Sequence, residues 1–437
     1  MKKEKKTIIS VRSSRILLSL LLVGCVVGLF VASVPSLQAN ASNVTPLQAS
    51  RPSITTSCPA SGTARAAYMP SMTLGSHATI VYIVNEGTYS HPTYGTLKRY
   101  DVVTGGKVEV IKMANTFMSS AQVSANGQWL LFVSQSAGQV KLQMIRMDGQ
   151  YLQTLYCGVG TPQGSILDIQ WSTNQRLVLF RQLLSSGTAV DLLNITTGAL
   201  QVELSSVGGF TFQVRTWLDN TRAYIAFQPT DSPATGLYIL DISKGANQDY
   251  HTLKQVFDAS NTSSCWDFDS SYDATRLFTS QCTTDPNPNG PGVSTYHGPS
   301  VINTRPATGG SVTSVYTRND LAFTTVRAVS SNTLLFTVGN TSGITGQNGL
   351  WRMGADGFRP TLLVNTPGST DSQLNQFTQF PWSNVSRAGT QYVLAIVHTS
   401  ASHVTYTLEY GSLNGGSPFV FASITDVQLS VVGWTTM

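Results

Sequence analysis

The stretch Val123-Ser124-Ala125-Asn126-Gly127-Gln128-Trp129-Leu130-Leu131-Phe132-Val133-Ser134, followed a few residues later by Leu142-Gln143-Met144-Ile145-Arg146-Met147-Asp148-Gly149, decides the fold. It reads as a small polar turn, an apolar strand, a second strand, and a tight turn closed by glycine. Working outward, the first marker returns as Trp171-Ser172-Thr173-Asn174, Trp217-Leu218-Asp219-Asn220, Phe268-Asp269-Ser270-Ser271, Val329-Ser330-Ser331-Asn332 and Val385-Ser386-Arg387-Ala388-Gly389, each ahead of an apolar run. The glycine turn returns at Gly105, Gly198, Gly245, Gly309, Gly357 and Gly415. A hairpin pattern repeated at a period of roughly 44 to 64 residues predicts a radial array of small sheets.

The ends of the chain complete this reading. The first unit lacks an inner strand and begins directly with Thr79-Ile80-Val81-Tyr82-Ile83-Val84. The last residues, Val427 to Trp434, form a strand with no unit after it. The two deficits cancel if the C-terminal strand completes blade one, which removes two open sheet edges. The expectation is an all-β, seven-bladed β-propeller over residues 74–437. The quoted segments resemble the repeat of TolB-like propellers, relatives of the WD-repeat class, over roughly residues 76–437. That resemblance implies the fold and leaves the function open, because a propeller is a platform for unrelated activities.

Ahead of the repeat, Lys2, Lys3, Lys5, Lys6, Arg12 and Arg15 face one acid, Glu4, and an apolar run follows from Ile16 to Val34. This is an export leader over residues 1–41: a signal peptide cut after Ala39-Asn40-Ala41, an uncleaved membrane anchor, or a lipoprotein signal using Leu22-Val23-Gly24-Cys25. All three place the body outside the cytoplasm, secreted or held at the cytoplasmic membrane by the N-terminal segment. Residues 42–73, rich in Ser, Thr, Pro and Ala, read as a flexible linker. Without the leader, six of 27 basic residues and one of 22 acids disappear, leaving 21 of each. A neutral body lacks the basic face that phosphate binding requires, so no nucleic-acid partner is expected.

Four cysteines remain outside the leader. If Phe268 and Phe278 flank a hairpin turning near Asp273, Cys265 and Cys282 stand opposite each other within bridging reach. Cys58 and Cys157 pair by elimination, in an oxidising compartment.

No catalytic motif is complete, so the sequence assigns no catalytic residue and no cofactor. Asp285-Pro286-Asn287-Pro288-Asn289-Gly290 is half a calcium loop, with Asp285, Asn287 and Asn289 as ligands, but its twelfth position is Tyr296 where a bidentate glutamate belongs. Asp267, Asp269 and Asp273 read as turn residues. Trp171, Trp217, Trp382 and Trp434, near inner-strand ends, read as packing between blades, with an aromatic rim for sugars or peptides as the competing reading. Three connections between second and third strands stand out by length: Gly87–Gly95 with Tyr89, His91 and Tyr94; Thr283–Gly298 with Asp285, Tyr296 and His297; and Asn340–Gly349. Long loops on a rigid scaffold are where recognition concentrates. The leading expectation is an exported non-catalytic propeller that binds an envelope or extracellular protein or polymer through this face. Against it stand a propeller-type enzyme acting on a glycan or small substrate in the central channel, and a structural envelope protein. Clustered acids with a perturbed carboxylate at the channel would favour the enzyme.

Overall fold

The computed structural model describes residues 55–158, 166–185, 187–207, 210–229, 236–259, 265–285, 295–339, 346–367, 370–374, 381–400 and 402–437. Twenty-eight strands among these residues pair antiparallel into seven sheets of four. The inner strands of blades one to seven are Gln428–Thr436, Phe117–Val123, Ile166–Trp171, Phe210–Trp217, Trp266–Ser270, Phe323–Ser330 and Thr370–Gln373. Blade one is completed from the far end of the chain: Ala78 pairs with Thr436 and Asn85 with Gln428. The ring is a seven-bladed propeller closed by its C-terminal strand.

Alternation along each strand gives every blade two apolar faces, and each gap between neighbouring sheets holds its own apolar cluster. Between blades two and three it contains Trp129, Leu142, Tyr156, Trp171 and Phe180; between blades seven and one, Tyr82, Tyr100, Leu408, Phe421 and Trp434. The glycine turns join third strands to outer strands, and all seven glycines adopt φ between +73° and +90°. At Gly149 a Cβ would stand 2.6 Å from the Val110 carbonyl oxygen on the outer strand of blade one. There glycine supplies both the turn and the approach of one blade to the next.

Cys265 and Cys282 are joined by a disulfide, in the register expected from the hairpin, with Trp266 opposite Gln281 and Asp267 opposite Ser280. Cys58 and Cys157 are also joined, with Cα atoms 5.7 Å apart. The described part of the segment read as a linker is tied to the propeller by more than this bridge. Arg65 N–H donates to Leu155 O at 2.9 Å, Ala67 N–H to Ile195 O at 2.6 Å, and the Gln153 amide both donates to and accepts from the Tyr68 main chain. This backbone runs along blade two and reaches blade three, satisfying polar groups there. The leader and residues 42–54 lie outside the described residues, among which no helix is long and apolar enough to cross a membrane.

Candidate functional site

The residues expected to form a loop face are divided between two blades. On blade one, strands run further into the connection than the sequence suggested: Gly87 pairs with Pro92, and Thr88 and His91 exchange backbone hydrogen bonds across the tip. His91 is exposed, Tyr89 packs edge-on against Phe117 with centroids 5.1 Å apart, and Tyr94 carries Lys112 over its ring at 4.0 Å. On blade five the strands pair out to Asp285 and Thr295, because β-forming Thr283, Thr284, Thr295 and Tyr296 continue the ladder. Tyr296 is half-buried against Cys265, Cys282 and Ala322, and the His297 ring contacts the Gly298 carbonyl. Blades six and seven separate the two groups in the ring. The Asp285 side chain, Asn287, Asn289 and residues 340–345 lie outside the described residues, so the calcium half-loop and most of the third loop do too. Among the described residues no group of three or more His, Cys, Asp or Glu is placed to hold a metal ion.

The channel wall carries charges that linear reading missed. Asp168, Arg215, Asp267 and Arg327 stand on the inner strands of blades three to six, with the sign alternating from blade to blade and Asp269 a second acid on blade five. Asp168 sits at a bulge with φ +52°, and its Oδ2 lies 2.8 Å from Nε of Arg181, both side chains at most 13% exposed. Arg327, 3% exposed, pairs with Asp267, which also accepts from the Val326 N–H at 3.2 Å. Arg215 lies within the fields of both Asp168 and Asp267. Asp269 accepts from the Ala328 and Ser270 N–H groups; burial pushes its carboxyl up to about 7, with Arg327 opposing the shift. Burial likewise raises Asp168, against the pull of Arg181 and Arg215. Asp267 and Asp269 are therefore not turn residues. They bind the inner strand of blade six, whereas Asp273 does serve its turn, accepting from Thr275 N–H and hydroxyl. The channel beside Asp168 widens into a cavity of about 280 Å³ shared with Ser119, Ser120 and Ser430.

Three of the four tryptophans are fully buried between blades: Trp171, Trp217 and Trp434. Trp382 differs. It is half-buried on a short 3-10 turn, Pro381–Ser383, and borders a cavity of about 360 Å³ on the opposite face, among the inner hairpin turns of blades five, six and seven. Arg387 lies 4.6 Å over its ring, and exposed Tyr272 approaches at 6.0 Å.

No family model matches the chain, and no curated protein is similar to it in sequence. Solved structures are similar at low identity. TolB from Acinetobacter baumannii is 12% identical over 81% of this chain and 81% of that one, with a TM-score of 0.43. A functionally unknown protein from Desulfotomaculum acetoxidans is 8% identical over 82% of this chain and 99% of that one, TM-score 0.47. Prolyl oligopeptidase B from Galerina marginata is 8% identical over 80% of this chain and 52% of that one, TM-score 0.47. The chain resembles TolB-like propellers. At these identities the likeness concerns fold, and the blade count rests on the strand pairing itself.

Proposed function

We propose that the chain is an exported, non-catalytic β-propeller that binds a protein or polymer at the cell envelope. The observation that carries this reading is how the channel acids are used: each pairs with an arginine or with backbone N–H groups, and Asp267 and Asp269 reach to the next blade for theirs. Asp267 is held by Arg327, Asp168 by Arg181, and Asp269 by the Ala328 and Ser270 amides. A general acid or base must reach a substrate proton, and a carboxylate fixed to its neighbour's backbone serves the ring instead. Two disulfides accord with an oxidising compartment, and Tyr89 and His91 remain at the loop face.

A propeller-type enzyme with its site in the channel is the second reading. It is favoured by the raised Asp269, since perturbed carboxylates cluster at catalytic sites. The experiment is a pull-down from native envelope extract with the tagged intact chain, against a variant shortened at residues 88–91, 286–294 and 340–345. Retention of a partner by the intact loops alone supports binding at that face. Equal retention by both, or none by either, sinks the loop-face reading and turns attention to substrates in the channel.

A further inference from the structure

The cavity of about 360 Å³ lies within the size range of small-ligand sites, roughly 300–1,000 Å³, and too small for a folded partner. Its walls are unlike a packing defect. Trp382 and Tyr272 supply aromatic surface, and Tyr272 is 56% exposed although it stands beside another ring. Arg387 supplies the charge. Its Nη1 donates to Ala125 O at 2.9 Å and its Nη2 to Ser124 O at 3.1 Å, which clamps blade seven to blade two and fixes the guanidinium over Trp382. Among the described residues no carboxylate forms an ion pair with it. An acid lining the cavity, Asp273, is bound up in its own turn by Ser271 and Thr275 and faces the field of Arg276. The site thus combines flat apolar ring faces, an uncompensated cation and one carboxylate oxygen left to accept a hydroxyl.

We infer that this cavity binds one unit of an acidic polysaccharide, a pyranose whose C–H face stacks on Trp382 and Tyr272 and whose carboxylate faces Arg387. The ring faces take the apolar side of the sugar. The guanidinium takes the acid. Asp273 accepts a sugar hydroxyl. The inference goes beyond the loop-face binding proposed above: it names a polymer class for a separate site on the face opposite the long loops. It rests on rigid turns: Ser386 Oγ accepts from the Thr390 and Gln391 N–H groups, and Asp273 closes its own turn in the same way.

The test is titration of the intact chain with trigalacturonate and with neutral maltotriose, followed by tryptophan fluorescence and calorimetry. Expected is saturable binding of the acidic trisaccharide, about tenfold or more tighter than the neutral one, as a charge-assisted contact implies. Trp382→Ala weakens it about tenfold or more, and Arg387→Gln brings the two sugars to nearly equal affinity. Because Arg387 also clamps two blades, Tyr272→Ala at an exposed position serves as the variant that leaves the fold intact, and it too weakens binding. The loop-shortened variant binds trigalacturonate unchanged, so failure here and failure of the loop-face reading are told apart. No saturable binding of either sugar, equal affinity for both in the parent chain, binding unaffected by Tyr272→Ala and Trp382→Ala, or saturable binding of an acidic aromatic peptide alone would each overturn the assignment.

Discussion

Replacing Arg327 with methionine tests whether the channel charges hold the ring together. The side chain is 3% exposed and its partner Asp267 15% exposed, so the guanidinium has almost no water to replace its partner and the carboxylate little. Removing the guanidinium leaves Asp267 with the Val326 N–H as its recorded bond and takes from Asp269 the cation that opposes its rise. Breaking a buried pair from one side costs about 3–5 kcal/mol, while replacing both members by apolar groups is close to neutral. Arg327→Met should therefore lose about 3–5 kcal/mol, and Arg327→Met with Asp267→Leu should recover about 2 kcal/mol or more of that loss, the remainder being the anion withdrawn from Arg215 and the cation withdrawn from Asp269. The coupling between the sites would be at least about 2 kcal/mol. Urea unfolding followed by tryptophan fluorescence reads all four members of the cycle, with disulfides intact. A single variant as stable as the parent, or a double variant no better than the single, refutes the reasoning. Asp267 would then be available for chemistry, and the enzyme reading would gain.

Two further outcomes follow from the packing. Burial raises Glu409, 4% exposed, from an ordinary 4.5 to about 7, so between those values the folded state keeps a proton that the unfolded chain releases; the contribution of this group to stability is full below pH 4.5 and falls by about 3 kcal/mol as pH rises to 7. Glu409→Gln should abolish that part of the pH profile, read as the difference from the parent's unfolding curve at pH 4 to 8, and parallel curves would contradict it. Gly149→Ala should cost about 2 kcal/mol or more, since the alanine meets both a φ of +87° and the Val110 carbonyl, whereas Gly415→Ala, with φ +90° and nothing within 4 Å, should cost about 1 kcal/mol. Equal losses of melting temperature in the two variants would remove Val110 from the account.

The fold was legible because its determinants are local. Turn chemistry at Gly149 or Gly309, alternation in Leu130-Leu131-Phe132, and the missing strand before Thr79 each sit within a few residues, and the Cys265–Cys282 pairing followed from one hairpin. The site was not, because its members meet only through the ring. Asp168, Arg215, Asp267 and Arg327 are separated by about one repeat each, and any one alone resembles a solvated turn residue. A signal was present all the same: each is a charged residue inside an inner strand, one to three residues before the turn marker. Trp382 was grouped with three buried tryptophans by its position near an inner strand. What separates it is the irregular blade seven, where the inner strand ends at Gln373 and the 3-10 turn Pro381–Ser383 carries the ring to the cavity.

What binding costs at the turn face depends on how much of it must still be ordered. A loop that orders on binding gives up conformational entropy, about 1–2 kcal/mol for each residue fixed. The turn face has little left to order. Arg387 is already fixed by two carbonyls and a ring, Ser386 by two N–H bonds, and Gly433 brings the last strand against Trp382 and Ser383, where a Cβ would come within 3.1 Å of the Trp382 carbonyl oxygen. A site with three shallow contacts gains usable affinity only if it is pre-organised in this way. Gly433 is thus a supporting residue for the cavity, because a side chain there meets the backbone of the 3-10 turn that carries Trp382 and asks it to give by a few tenths of an ångström.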